Sequence, residues 1–206
     1  MIGALAFFGA FNPPTVAHID LAEFAMEKTG ARQVIFVPSK AAYIRDDQGK
    51  DFAYSDIERL NMLQRAAKSR PWMAVSDWDI AQQRQPRTYD TLCHFRENGL
   101  SPALLMGSDK LTELETGWLH VEEIAREFGI VCLARGSDAC ARMIEESDFL
   151  RPLSPFITVL ETPPDNRNIS SSAVRKCVAE IEKLEEQLRR MVPEDILPCL
   201  RRRGGE

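Results

Sequence analysis

The sequence predicts a doubly wound α/β domain built on a mainly parallel sheet. Three observations carry this. Short apolar runs that suit buried strands alternate with amphipathic stretches along almost the whole chain. Such alternation implies parallel strands joined by right-handed helical crossovers. Polar segments bearing glycine or serine follow the apolar runs, where ligands bind in open α/β sheets. Finally, 206 residues, 44% hydrophobic and 28% charged, suit an ordinary globular domain with a sizeable core. We expect a single domain over 1–206, with a small helical segment over roughly 179–206.

The elements follow in order. Leu5–Phe8 reads as a buried strand and Val16–Lys28 as a helix with an apolar face from Ile19, Leu21, Ala22 and Phe24–Met26. Val34–Val37 is a second strand, ended by Pro38. Lys40–Tyr54 is polar and charged and is expected to be a mobile loop. Ser55–Lys68 is a helix, because Ser55 stands three residues before Glu58 in a capping-box pattern. Met73–Val75 is a strand, Tyr89–Asn98 a helix closed by Gly99, and Ala103–Met106 a strand ending at Gly107. Then come helix Val121–Glu127, strand Ile130–Leu133, helix Ala139–Glu146, strand Ile157–Leu160 and helix Ser171–Arg190.

A net charge of −5 argues against nucleic acid or an anionic membrane as the main partner. It leaves room for an anionic small molecule in a locally positive pocket. The five cysteines form no C-x-x-C pair and are odd in number, so reduced thiols in a cytoplasmic protein are expected, with no zinc site or disulfide framework. Ile2–Phe8 is too short for a signal core or a membrane span.

Two segments carry the chemistry. After the first strand runs Gly9-Ala10-Phe11-Asn12-Pro13-Pro14-Thr15-Val16-Ala17-His18. Gly9 permits close backbone approach, and the prolines stiffen the turn. Thr15 and His18, three apart, share a face at a helix start whose amides already favour an anion. Near the other end, Asn168-Ile169-Ser170-Ser171-Ser172-Ala173-Val174-Arg175 leads from a strand into a helix. Ser170 or Ser171 can cap it, and Arg175 adds a bidentate donor one turn in. Each segment alone also fits an ordinary strand–helix turn.

Together, G-x-F-N-P-x-T-x-x-H and I-S-S-S-x-x-R resemble the two phosphate-binding signatures of the nucleotidyltransferase superfamily. Their order and separation resemble the nicotinamide/nicotinate mononucleotide adenylyltransferase family. The family's first motif often has two histidines; here Thr15 replaces the first, so only His18 remains. Met106-Gly107-Ser108-Asp109-Lys110 resembles its G-[AS]-D segment, and Trp118 its ring-stacking tryptophan. Val75–Asp79 resembles the segment after the third strand, with Trp78 as a second aromatic wall. Arg87–Leu92 resembles the family's threonine-bearing stretch, Leu133–Gly136 its R-[AP]-G loop, and Val192-Pro193 its final segment. The resemblance covers roughly residues 1–178 and implies a Rossmann-like nucleotidyltransferase fold.

It also implies a reaction. ATP and nicotinate or nicotinamide mononucleotide would be joined into a dinucleotide, releasing pyrophosphate, in NAD biosynthesis. The mononucleotide phosphate, already anionic, would attack the α-phosphorus in line, so positioning and charge stabilisation suffice. His18, Thr15 and Arg175 are the expected catalytic residues. Gly9, Ala10, Phe11, His18, Gly107, Asp109, Ser171, Ser172 and Arg175 are expected on ATP. Trp78, Thr88, Thr91, Trp118, Lys40 and Arg45 are expected on the mononucleotide, with Lys50 a further candidate for a phosphate. Mg²⁺ would arrive on ATP rather than in a protein cage. Nicotinate versus nicotinamide stays open, as does a homo-oligomer. Another phosphorylated acceptor and a catalytically idle nucleotide-binding module are the alternatives.

Overall fold

The computed structural model describes residues 2–46, 54–134, 140–162, 169–179 and 185–201. Six strands form one sheet in the order β3-β2-β1-β4-β5-β6: β1 (Leu5–Gly9), β2 (Val34–Pro38), β3 (Met73–Val75), β4 (Ala103–Gly107), β5 (Ile130–Ala134) and β6 (Ile157–Glu161). The pairs β1/β4, β4/β5 and β5/β6 are parallel, with Leu5 opposite Ala103, Leu104 opposite Ile130 and Ile130 opposite Ile157. The winding direction reverses between β1 and β4, the doubly wound order expected, and ligands bind at the carboxyl ends beside such a reversal. The strand β1 ends there, at Gly9.

The helices are α1 (Val16–Thr29), α2 (Ala41–Asp46), α3 (Asp56–Ala67), α4 (Trp78–Ala81), α5 (Thr88–Glu97), α6 (Leu114–Gly117), α7 (Val121–Glu127), α8 (Cys140–Glu146), α9 (Ser171–Ala179), α10 (Glu185–Met191) and α11 (Leu197–Arg201). Tight 3₁₀ turns cover Ser108–Glu113, Arg151–Phe156 and Glu194–Ile196. The expected capping box is present. The Ser55 side chain accepts from Glu58 N, and Glu58 Oε2 accepts from Ser55 N at 2.7 Å. Gly99, at φ +80°, ends α5, a left-handed conformation in which glycine avoids the Cβ penalty.

Two expectations change. The segment expected to be a loop from Lys40 opens instead with α2, where the Ala41 amide donates to Asp56 Oδ1 at 2.6 Å. An acidic side chain thus satisfies an orphan donor at the helix start. The expected loop's remaining stretch, 47–53, lies outside the described residues, as do Asn168, Arg135 and Gly136 of the motifs. The expected helix Ser171–Arg190 is represented by α9 and α10, with 180–184 outside the described residues.

The chain divides into two compact units. The first comprises Met1–Phe8, Leu21–Ile35 and Pro86–Arg167. Its core is the apolar interior of the strands, with Leu5, Ala6, Leu105, Val131 and Cys132 wholly buried. These near-continuous apolar runs are what a parallel sheet covered on both faces requires. The second comprises Gly9–Asp20, Phe36–Gln85 and Asn168–Glu206. There α3 buries Arg59, Met62, Leu63 and Ala66. That spacing of three, four and seven is one stripe of a helix, and its first position is a charged residue. Among the described residues no helix is long and apolar enough to cross a membrane.

Leu105 is fully buried in β4. Leu105→Ala is expected to destabilise the protein by about 3 kcal/mol through lost burial and a residual cavity. Equilibrium urea unfolding checks this, as a lower midpoint with an unchanged slope.

Candidate active site

In the second unit the chain leaves β1 at Gly9 and turns through Phe11, whose φ is +44°. A bulky residue there is a steric outlier that only surrounding contacts can maintain. Its ring is 2% exposed. It lies edge-on to His18 at 5.3 Å and tilted against Phe36 at 5.4 Å between centroids. Gly9 makes room for it: a Cβ at position 9 would stand 3.0 Å from Phe11 Cζ. The glycine of the motif therefore serves the aromatic ring two residues on.

Thr15 and His18 meet as their spacing predicts, with a division of labour the spacing does not show. The Thr15 amide donates to His18 Nδ1 at 3.0 Å, and Thr15 Oγ1 lies 2.7 Å from the same nitrogen. A backbone N–H can only donate, so Nδ1 is an acceptor and the ring proton of the neutral imidazole sits on Nε2, across the ring. Thr15 itself is 0% exposed. Its amide and its hydroxyl thus both lie on the same imidazole nitrogen.

The serine segment folds over the same loop. Ser170, not Ser171, caps α9: its Oγ accepts from Ala173 N at 3.1 Å. Ser171 Oγ instead donates to Pro13 O at 2.8 Å. Arg175 Nη1 donates to Asn12 O at 2.7 Å and Nη2 to Ser172 Oγ at 3.0 Å. The two motifs are thus brought together side chain to backbone. The Arg175 fork has further N–H donors beyond these two bonds.

Behind the loop stands a residue that the sequence reading missed. Arg59, wholly buried on α3, donates from Nη1 to Ala10 O at 2.6 Å and from Nη2 to Ser39 O and Asp56 Oδ1, both at 2.5 Å. Burial pushes its guanidinium below the usual value, and the charge and hydrogen bond of Asp56 work against that shift. Its sequence signal was available: a charged residue occupying the first position of an otherwise apolar helical stripe.

Lys40 does not extend into solvent. Its Nζ donates to Ile80 O at 2.5 Å and Gln82 O at 2.7 Å. A cation thereby meets the carbonyls left unpaired at the end of α4, where the helix dipole is negative. Its amide donates to Gln85 Oε1 at 2.6 Å, and Gln85 Nε2 donates to buried Asp79 at 2.7 Å. Lys40 and Gln85 therefore brace the short helix that carries Trp78, which is half-buried. Arg45 is exposed on α2, and Lys50 lies outside the described residues.

In the first unit Gly107 ends β4, and Asp109 is exposed in the following 3₁₀ turn. Trp118 is half-buried just after α6, and Thr88 half-buried at the start of α5. Thr91 is fully buried, with its hydroxyl 3.4 Å from Arg87 O. It lies one turn into α5. Among the described residues no group of three or more His, Cys, Asp or Glu side chains is placed to hold a metal ion.

A cytidylyltransferase-like family model matches residues 6–177. The chain is similar to a probable nicotinate-nucleotide adenylyltransferase of Caldicellulosiruptor bescii, 26% identical over 198 residues that cover 96% of this chain and 95% of the relative. It is also similar to a nicotinamide/nicotinic acid mononucleotide adenylyltransferase of Oryza sativa, 29% identical over 192 residues that cover 86% of this chain and 76% of the relative. Among solved structures, Plasmodium falciparum nicotinic acid mononucleotide adenylyltransferase complexed with NaAD superposes with a TM-score of 0.74 at 18% identity, covering 98% of this chain and 96% of the other. That likeness is one of fold. With the family model spanning both the Gly9–His18 turn and Arg175, the chain belongs to the cytidylyltransferase-like family.

Proposed function

We propose that the chain is an adenylyltransferase of NAD biosynthesis, joining ATP to nicotinate or nicotinamide mononucleotide and releasing pyrophosphate. The observation that carries this reading is the fixed imidazole. With Nδ1 held by the Thr15 amide at 3.0 Å, His18 presents its proton on Nε2 as a pre-aimed donor at a helix start. The names of the relatives support the acceptor.

The chemistry needs no proton abstraction from the nucleophile, whose phosphate is anionic at neutral pH. An oxygen of the mononucleotide phosphate forms a bond to the α-phosphorus as the bond to the β-phosphate bridging oxygen breaks. Pyrophosphate leaves with that electron pair. His18 Nε2–H faces the charge growing on an α-phosphate oxygen. Amides of Gly9–Phe11 hold the same phosphates. Ser171, Ser172 and the further Arg175 donors take the β- and γ-phosphates, and Mg²⁺ comes as part of the ATP substrate.

We assign Gly107 and Asp109 to the adenosine, and Thr88, Trp118 and Trp78 to the pyridine mononucleotide. Arg45 is assigned to the mononucleotide phosphate. A cytoplasmic setting belongs to the same reading.

Pyrophosphate release with ATP plus each mononucleotide in turn tests the substrate. Turnover is expected with at least one; none with either overturns the assignment. His18→Ala is expected to lower kcat by about 100-fold or more, the scale of one lost transition-state donor; near-wild-type turnover removes His18 from this role. Thr15→Val keeps the amide bond to Nδ1 and loses the hydroxyl, so a smaller fall in kcat of about 10-fold is expected from steady-state kinetics.

A further inference from the structure

We propose that Arg59 is a positioning residue that sets the phosphate-binding loop from behind. The proposal rests on the adenylyltransferase reading and adds to it a residue that touches no substrate. Its Nη1 donates to Ala10 O at 2.6 Å. The carbonyl of Ala10 is therefore drawn toward α3. Across a trans peptide the carbonyl and the following N–H point in opposite directions, so the amide of Phe11 is turned away from α3, to the side on which the triphosphate is received. The same guanidinium grips Ser39 O at 2.5 Å, while the Ser39 amide donates to Gly9 O at 2.9 Å. Both peptides flanking Ala10 are thus referred to the end of β2.

The fork matters more than the charge. Both carbonyls lie on different segments, and only a planar guanidinium spans them while also meeting Asp56 Oδ1 at 2.5 Å. Arg59 is also what offsets the strain at Phe11, whose φ of +44° would relax if the preceding peptide could flip. Asp56 extends the clamp, since its Oδ1 also accepts from Ala41 N at 2.6 Å. The residue before it, Lys40, braces α4 through Ile80 and Gln82. One buried arginine therefore ties the loop to the strand end that leads to the Trp78 helix.

The test compares Arg59→Met, Arg59→Ala and, as a control for loosening α3, Ser55→Ala. The control weakens the capping box without touching the loop. Each protein is assayed for pyrophosphate release with the mononucleotide the wild type uses, for ATP Kd by calorimetry, and for its urea midpoint. Arg59→Met is expected to lower kcat at least about 10-fold and raise the ATP Kd at least about 5-fold, while Ser55→Ala keeps wild-type kcat despite its lower midpoint. Millimolar guanidinium ion is expected to restore part of the activity of Arg59→Ala and none to His18→Ala. Wild-type kcat and Kd in Arg59→Met overturn the proposal. So does a loss matched by Ser55→Ala, or a failure of guanidinium to rescue. Should Arg59→Met not fold, Asp56→Asn loosens the same clamp from its carboxylate side, and unchanged kinetics there overturn it equally. A wild type inactive with both mononucleotides sinks the substrate reading instead, and the ATP Kd values still decide the part of Arg59.

Discussion

The turn from β1 into α1 depends on one constraint: carbonyls buried within it must be satisfied from inside the protein. Gly9 O is taken by the Ser39 amide, Ala10 O by Arg59, Asn12 O by Arg175 and Pro13 O by Ser171. Thr15 O accepts the amides of His18 and Ile19 as α1 begins. A strand-to-helix turn would ordinarily leave several of these groups to water or to each other. Here three of the partners are side chains from α3 and α9, and each approaches from the protein side.

Placing a guanidinium with no solvent exposure behind such a loop is costly unless its donors are met. Arg59 directs three bonds from its two Nη atoms to two neutral carbonyls and one carboxylate. Asp56 does not merely neutralise it. The same carboxylate oxygen also receives the Ala41 amide, so the ion pair and the start of α2 are one structure. Removing any member leaves a buried polar group unmet, which is why this cluster specifies a geometry more firmly than an apolar packing of equal size would.

The sequence made the strand ends and the longer elements legible for physical reasons that survive folding. The Ser55–Glu58 box needs only neighbours three apart, and the parallel strands are apolar because both faces are covered. Less legible was anything whose partner lies far along the chain. The short α4 has no periodicity to detect, and it holds its shape through Lys40 and Gln85. The burial of Thr15 and Thr91, both wholly enclosed, was equally silent in the sequence, because it depends on packing from distant segments. Arg59 showed itself only as a charge on an apolar stripe, a signal legible once the stripe is drawn but silent about the loop it grips.

Replacing a second imidazole by Thr15 has a consequence for how the site can respond to charge. A histidine at that position would add a second titratable group beside the first. A threonine adds a hydroxyl that cannot ionise, and its backbone amide fixes the tautomer of the imidazole that remains. Protonation at Nδ1 would have to break the bond from the Thr15 amide, because a protonated Nδ1 cannot accept it. In the proposed reaction Nε2 is then the oriented donor to the α-phosphate, and the permanent charge is left to Arg175 and to the cation carried by ATP.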